Sequence, residues 1–357
     1  MKAAIVGATG IVGQQFIVAL SGHPYIEISA LAGSTRSAGQ KYGDAVRTPA
    51  GASQWFCEEP CDKSVKDMTV QLSTDLRAED YDVIFTGLEA DTARELEPLY
   101  AKTTPVISTA SAFRYEPDVP LLVPGVNPEH AKLLDIQRKN RGWKGYITPN
   151  PNCTTIGLAI TLKPLHDAFG VRTVLMTSMQ ALSGAGRSGG VLGMDILDNV
   201  VPYIPKEEQK VQRETQKILG SLNAEGIEDA PFAVSCTCTR VNVQDGHTES
   251  VFVALDKPAS VDDVKAAIEA FNKAVRTDLP SAPQNMITVT EDPFHPQPKW
   301  DRMTEGGMST VVGRIREDHA LPNGVKYVLL SHNTKMGAAK GCVLTAEMLA
   351  REGYIKR

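Results

Sequence analysis

Within its first twenty residues the chain passes from an apolar run of strand length, Ala3-Ala4-Ile5-Val6, into Gly7-Ala8-Thr9-Gly10-Ile11-Val12-Gly13 and then a helical pattern from Gln14 to Leu20. Strand, glycine-rich turn and helix in that order are the opening unit of a dinucleotide-binding sheet, because glycines let the backbone approach a pyrophosphate that rests on the helix N-terminus. On that reading Gly7, Thr9, Gly10, Ile11, Val12 and Gly13 are cofactor-binding residues. The spacing is G-x-x-G-x-x-G rather than the commoner G-x-G-x-x-G, so a tight turn without a ligand is the competing reading.

Residues 26–32 read as the second parallel strand. A site for NAD places an acidic residue at the end of this strand to hold the ribose hydroxyls. This chain has Ser34-Thr35-Arg36-Ser37 there, three hydroxyls and a guanidinium that suit a 2′-phosphate. The pattern favours NADP(H) as cofactor, against the alternative of Arg36 as a solvated loop charge. Residues 82–87 and 105–109 add two more parallel strands, with a helix over 92–102 between them. The later one empties into Ser111 and Arg114, at the carboxyl edge where ligands collect in doubly wound sheets. An arginine beside hydroxyls there holds a phosphate or carboxylate, or else makes a surface ion pair. The stretch 121–127, a polar helix over 129–140 and a short strand at 146–148 complete the unit.

Pro149-Asn150-Pro151-Asn152 then interrupts regular structure, and a helix begins at Cys153 with apolar residues at 156, 159 and 160. Asn152 is a natural N-cap, which puts Cys153 in the first turn. Unpaired backbone N–H groups and the positive end of the helix dipole favour a thiolate there, and an exposed thiolate is a nucleophile. The alternative is a small buried hydrophobe.

Beyond residue 165 the strands lengthen and alternate. Residues 173–180 form one, ending at Ser183-Gly184-Ala185-Gly186, a turn that invites close approach of a ligand. Residues 207–219 read as an amphipathic helix with Glu207 and Lys210 three apart on one face, a working pair or merely a solvated one. Asp245-Gly246 between strands over 232–243 and 250–255 is a hairpin signal. A two-residue turn there sets Gln244 opposite His247 and puts Arg240 on the same side by the period of two. A site can use that pair, although a lone hairpin histidine is more often a polar rim residue. A helix over 260–277 capped by Ser260 follows, then a proline-bearing loop over 291–301 expected to pack across another segment or subunit. A hairpin of 309–315 with 325–331 leads to a C-terminal helix, reaching Glu352, expected to fold back on the first unit.

At 357 residues the chain is long for a single core, so two domains are expected. A net charge of -5 argues against a nucleic-acid partner. No apolar run reaches the length of a membrane span, and the N-terminus reads as a strand, not a signal peptide. The cysteines at 57, 61, 153, 236, 238 and 342 make no C-x-x-C pair, which suggests neither a metal site nor a disulfide framework. Reduced thiols in a cytoplasmic setting are the economical expectation.

Gly7-Ala-Thr-Gly-Ile-Val-Gly13, Asn150-Pro-Asn-Cys-Thr-Thr155, Ser183-Gly-Ala-Gly186, Arg240 through His247 and Asn333 with Gly337-Ala-Ala339, in one order, resemble the aspartate-semialdehyde dehydrogenases from end to end. The 34–39 loop and the ending from His332 to Ala339 look most like the archaeal and fungal branch. The resemblance implies an α/β chain: an N-terminal Rossmann-like doubly wound parallel sheet (residues 1–152 with 333–357) and an α+β catalytic and dimerisation domain with a mixed, largely antiparallel sheet (153–332). It implies NADPH-dependent reductive dephosphorylation of L-4-aspartyl phosphate to L-aspartate 4-semialdehyde through a cysteine thioester. Cys153 matches the nucleophile, Gln180 the residue orienting the acyl intermediates, His247 the acid/base, and Arg240 the clamp on the substrate α-carboxylate. Glu207 looks like the amine partner, Lys210 and Arg114 the phosphate binders, with Ser111 and Asn152 beside them. Ser183, Gly184, Gly186 and Asn333 fall where the family meets the nicotinamide half of NADP(H). No metal is implied, and a homodimer or homotetramer is. The rivals are malonyl-CoA reductase or N-acetyl-glutamyl-phosphate reductase of the same structural family, and, in another class, an inactive NADP-binding regulator with Cys153 merely packed.

Overall fold

Two six-stranded sheets organise the computed structural model, which describes residues 1–186, 193–223 and 226–356. The first contains β1 (Lys2–Val6), β2 (Glu27–Gly33), β3 (Val70–Leu72), β4 (Val83–Thr86), β5 (Val106–Ser108) and β6 (Ile147–Pro149). All its pairings are parallel, in the order β3-β2-β1-β4-β5-β6. Helix α1 (Ile11–Leu20) joins β1 to β2, α2 (Ala90–Ala101) joins β4 to β5, and α3 (Leu133–Arg141) lies between β5 and β6. Parallel strands covered on both faces read as continuous apolar runs, and β4 is buried at all four positions. Ile5 and Phe85 pack with Phe16 and Ile17 of α1 on one face, while Val6 and Ile84 pack with Tyr100 of α2 on the other. The strand order reverses between β1 and β4, which opens a crevice at the carboxyl ends of the strands. Strand β6 reaches Pro149, one residue beyond the expected stop; it is an edge strand, where the missing N–H costs no ladder bond.

Helix α4 (Cys153–Phe169) leads into the second sheet, which comprises β7 (Val171–Gln180), β8 (Ala233–Arg240), β9 (His247–Leu255), β10 (Ile287–Thr290), β11 (Thr310–Asp318) and β12 (Gly324–Ser331). Helix α5 (Glu207–Ile218) precedes β8 and α6 (Val261–Val275) follows β9. The order is β8-β7-β9-β12-β11-β10, with β8 parallel to β7, β10 parallel to β11 and the other pairings antiparallel. The expected hairpin of β8 with β9 is therefore corrected, because β7 lies between them. Residues 241–244 arch over the end of β7 instead, Val241 N–H donating to Gln180 O and the Leu182 and Ser183 amides to Val243 O and Gln244 O. Gln244 consequently does not face His247 across a ladder. The hairpin of β11 with β12 and the Ser260 cap of α6 stand as read.

Helix α4 packs across β7, β9 and β12 and is buried along most of its length. Gly157 permits this: a Cβ there would stand 2.8 Å from the Cβ of Ser331. The opposite face of the sheet is open in the single chain, with Leu175 and Thr177 of β7 exposed and Phe252 of β9 partly so. The C-terminal helix α7 (Ala339–Arg351) returns to α1 as expected, and Glu347 receives His23 Nε2 at 2.8 Å.

Glu97 of α2 is fully buried at the carboxyl edge of the first sheet, accepting the Thr86 and Ser108 hydroxyls at 2.6 Å each. Burial raises its pKa from 4.5 to about 7, over the opposing pull of Ser108 and Thr86. An acid whose folded pKa is raised keeps its proton in the native state while the unfolded state ionises, so stability falls as pH rises from about 4.5 to 7 and is level above. Glu97→Gln is expected to gain on the parent protein across that window, by at most about 3 kcal/mol, read from denaturant unfolding at pH 5 and pH 8. A pH-independent difference would refute the account.

Candidate active site

Asn152 caps α4 as its sequence position predicts, its Oδ1 accepting from the amides of Thr154 (3.0 Å) and Thr155 (3.2 Å). Its Nδ2 donates to Glu207 Oε1 at 2.8 Å, and its own backbone N–H donates to Glu214 Oε2 at 2.6 Å. Cys153 therefore starts a helix whose first turn is held from α5. On the other side Gly337 presses against it: a Cβ at 337 would lie 3.0 Å from the Cβ of Cys153, and Asn150 Nδ2 holds the Gly337 carbonyl at 2.9 Å. Cys153 lines a cleft of about 390 Å³ together with Ser111, Arg114, Asn152, Ser183, Glu207 and Lys210.

The second sheet supplies the other groups along one row. Arg240 of β8 pairs with Gln180 of β7, and His247 of β9 pairs with Ser331 of β12 one step beyond the pairing of Thr248 with Met179. Arg240, Gln180 and His247 thus stand side by side, brought together by the intervening strand rather than by a hairpin. All three are buried. His247 Nε2 lies 3.2 Å from Cys153 Sγ, and its Nδ1 accepts the Ala181 amide at 3.1 Å. A neutral ring that accepts at Nδ1 carries its proton on Nε2, so the imidazole presents a donor to the sulfur. Arg240 Nη1 donates to Ala181 O at 2.7 Å, and Gln180 Nε2 to Glu207 Oε1 at 3.3 Å. The glycine of the 183–186 turn is needed at 184, where a Cβ would meet Arg240 Nη1 at 2.9 Å and His247 Cε1 at 3.0 Å.

The electrostatics weigh against one expectation. Burial pushes the Cys153 thiol up to about 12, Glu207 adds to the rise, and Arg114, Arg240 and the helix-start amide do not offset it. Burial also lowers His247 to about 3, with Arg240 beside it. Both shifts favour a neutral thiol against a neutral imidazole in the ligand-free site, opposing the thiolate that the helix start alone favours, although Cys153 is only partly buried. The helix N-terminus favours the anion, but removal from water outweighs it. Glu207 goes the other way: burial would raise it, yet Lys210 at 3.2 Å and the Asn152 amide hold it below the usual carboxylate range.

The glycine turn suits a dinucleotide. Gly7 has φ +78 and its Cβ would lie 2.4 Å from Gly87 O, while a Cβ at Gly13 would lie 2.3 Å from Gly7 O. Both glycines are demanded by close backbone packing, and Gly10 N-caps α1 with no side chain over the amides. Ser34, Thr35 and Arg36 are exposed at the carboxyl end of β2. Ser37 is not: it is buried against Gly33 and its hydroxyl donates to Ser34 O at 3.3 Å, so the set facing a 2′-phosphate shrinks to three. Asn333 ties the turn after β7 to residues 245–246, donating to Ser183 Oγ and accepting the Gly246 amide at 2.8 Å each. Gly186 and Ser183 line the same cleft as Cys153. Glu214 went unread in the sequence, and Gly337 stood there only as part of a motif, without a role. The i, i+7 spacing of Glu207 and Glu214 on one helix face was the available sign of the first.

A nucleotide-type crevice beside a cysteine–histidine pair fits the class of dinucleotide-dependent oxidoreductases. Residues 2–134 match the family model described as the semialdehyde dehydrogenase NAD binding domain, and 162–336 that of the semialdehyde dehydrogenase dimerisation domain. The aspartate-semialdehyde dehydrogenase of Methanothermobacter thermautotrophicus is 46% identical over 97% of both chains, and that of Archaeoglobus fulgidus 47% over 98% of both. The crystal structure of the Candida albicans aspartate-semialdehyde dehydrogenase with NADP superposes with a TM-score of 0.86 at 42% identity, covering 99% of each chain. The chain belongs to the aspartate-semialdehyde dehydrogenase family.

The neutral pair makes a measurable claim. Alkylation of Cys153 by iodoacetamide, followed by peptide mass mapping, is expected to keep accelerating from about pH 7 to about pH 10, because only the thiolate reacts. A rate already level near neutrality would mean that the thiolate is preformed.

Proposed function

We propose that Cys153, His247, Gln180, Arg240, Glu207, Lys210 and Arg114 carry the family's reaction, NADPH-dependent reductive dephosphorylation of L-4-aspartyl phosphate to L-aspartate 4-semialdehyde. The observation that carries this reading is the 3.2 Å contact of Cys153 Sγ with His247 Nε2 beside the Glu207–Lys210 pair and Arg114. Cys153 sulfur attacks the acyl carbon, the bond from that carbon to the phosphate oxygen breaks, and the thiol proton ends on the departing phosphate. The product is a thioester on Cys153. Asn152 already occupies the amides of Thr154 and Thr155, and that of Cys153 has no partner among the described residues, which leaves it for the oxyanion. Lys210 and Arg114 receive the phosphate, Arg240 the α-carboxylate and Glu207 the α-amine, each by opposite charge.

Gly7, Gly10, Gly13, Ser34, Thr35 and Arg36 are the residues that would hold the dinucleotide, with Ser183, Gly184 and Asn333 toward its nicotinamide end. When bound, it supplies the hydride that brings the thioester to the aldehyde level. His247 Nε2–H gives its proton to the acyl oxygen as negative charge gathers there, and Gln180 Nε2 keeps that oxygen oriented.

We place the domain boundary at 152/153 with a return at 333, the first unit holding cofactor and the second substrate. Oligomerisation through the second unit fits the open sheet face that carries Leu175 and Phe252, and we propose a homodimer or a homotetramer built on it. Leu175→Asp is expected to lower the mass measured by light scattering. We also place the enzyme in the cytoplasm. Among the described residues no helix is long and apolar enough to cross a membrane.

The substrate test is phosphate-dependent reduction of NADP with aspartate semialdehyde, run beside malonate semialdehyde with CoA. Reduction with the second pair alone would overturn the assignment. His247→Ala is expected to lose about 10²–10⁴ in turnover with an unchanged melting profile, and near-normal turnover would remove the histidine from the mechanism.

A further inference from the structure

Helix α5 turns Glu207, Lys210 and Glu214 to one side, at i, i+3 and i+7. The first two meet the substrate in the reading above. Glu214 is fully buried, lies outside that cleft's lining and still makes three hydrogen bonds. Its Oε2 accepts the Asn152 amide at 2.6 Å, and its Oε1 accepts Arg114 Nη1 at 3.1 Å and the Tyr115 hydroxyl at 3.2 Å. One carboxylate therefore spans from the peptide before the nucleophile to the guanidinium that lines the cleft.

Arg114 is itself held on several sides. Nη2 donates to Thr109 O at 3.2 Å, and Lys217, one turn further along α5, donates to the Arg114 carbonyl at 2.8 Å. Its Nε is buried and has no partner among the described residues. The bond to Glu214 keeps the guanidinium from turning, so the donors not engaged by Glu214 and Thr109 stay available in a fixed plane. A buried carboxylate that orients a cation without reaching the ligand acts through distance and angle, and small changes in either are felt in binding.

We propose that Glu214 is a positioning residue for the phosphate group of the acyl phosphate. It sets where Arg114 stands relative to Cys153 by bonding to Arg114 and to the peptide that starts the cysteine's helix. The inference rests on the reading of Arg114 as a phosphate contact.

Glu214→Gln keeps the volume and one accepting oxygen, but its NH₂ cannot accept, so either the Asn152 link or the Arg114 link is lost. In the phosphate-dependent oxidation of the aldehyde, KM for inorganic phosphate is expected to rise about tenfold or more while KM for the aldehyde stays within about twofold. Glu214→Asp, which retains the carboxylate but draws it back by one methylene, should raise the same KM by a smaller factor. A purely structural role would reduce thermal stability and the titratable active-site fraction and leave KM for phosphate alone. Arg114→Gln is measured in parallel. If it raises KM for phosphate and neither Glu214 variant does, the positioning role is wrong and the phosphate reading stands. If none of the three variants changes it, both fall.

Discussion

The hold of α5 on Asn152 is the interaction on which the rest of the site depends. A helix start leaves amides without partners, and here the Asn152 side chain satisfies two of them while that residue is gripped in turn by two acidic side chains. Glu207 takes the Asn152 side chain and Glu214 the main chain, so the residue before Cys153 is fixed in both position and rotation. Without that grip Cys153 would sit on a fraying first turn, and its distance to His247 would be undefined. Buried acids are costly unless paired, and these two are paired on every side that the cysteine needs.

The second sheet contributes through strand order. Placing β7 between β8 and β9 sets an amide side chain, Gln180, between a guanidinium and an imidazole that would otherwise crowd one another. The same arrangement lets the chain after β7 meet the chain after β8, which is how the Ala181 amide reaches His247 and its carbonyl reaches Arg240. The backbone of one residue, Ala181, thereby aligns both groups. The first sheet needs no comparable device, because its ligand edge follows from parallel strands and a reversal of order.

Much of this was legible in the chain. Alternating Asn and Pro before an apolar helix announced the cap and the cysteine, and the glycine spacing announced the turn whose backbone packing excludes any Cβ at 7 and 13. What escaped was non-local. Asp245-Gly246 has the local chemistry of a hairpin, and nothing within it reveals that a strand some seventy residues earlier slides between its arms. Glu214 lies 62 residues from the amide that it accepts. Ser37 resembles its neighbours in type and differs only in being packed under Gly33. Burial of the thiol was hidden for a related reason: a helix terminus is visible in sequence, whereas the packing of β9, α5 and the 333–338 segment around Cys153 is not.

A sulfur that burial pushes toward its protonated form bears on survival under oxidising conditions. Peroxides attack thiolates, and the ladder from sulfenic to sulfonic acid begins there. A cysteine whose surroundings favour the thiol exposes less of the vulnerable form at rest, so damage should track use of the site more than time. Glu207, which adds to the rise of the Cys153 thiol, works in the same direction as burial and helps to spare the resting sulfur from oxidation.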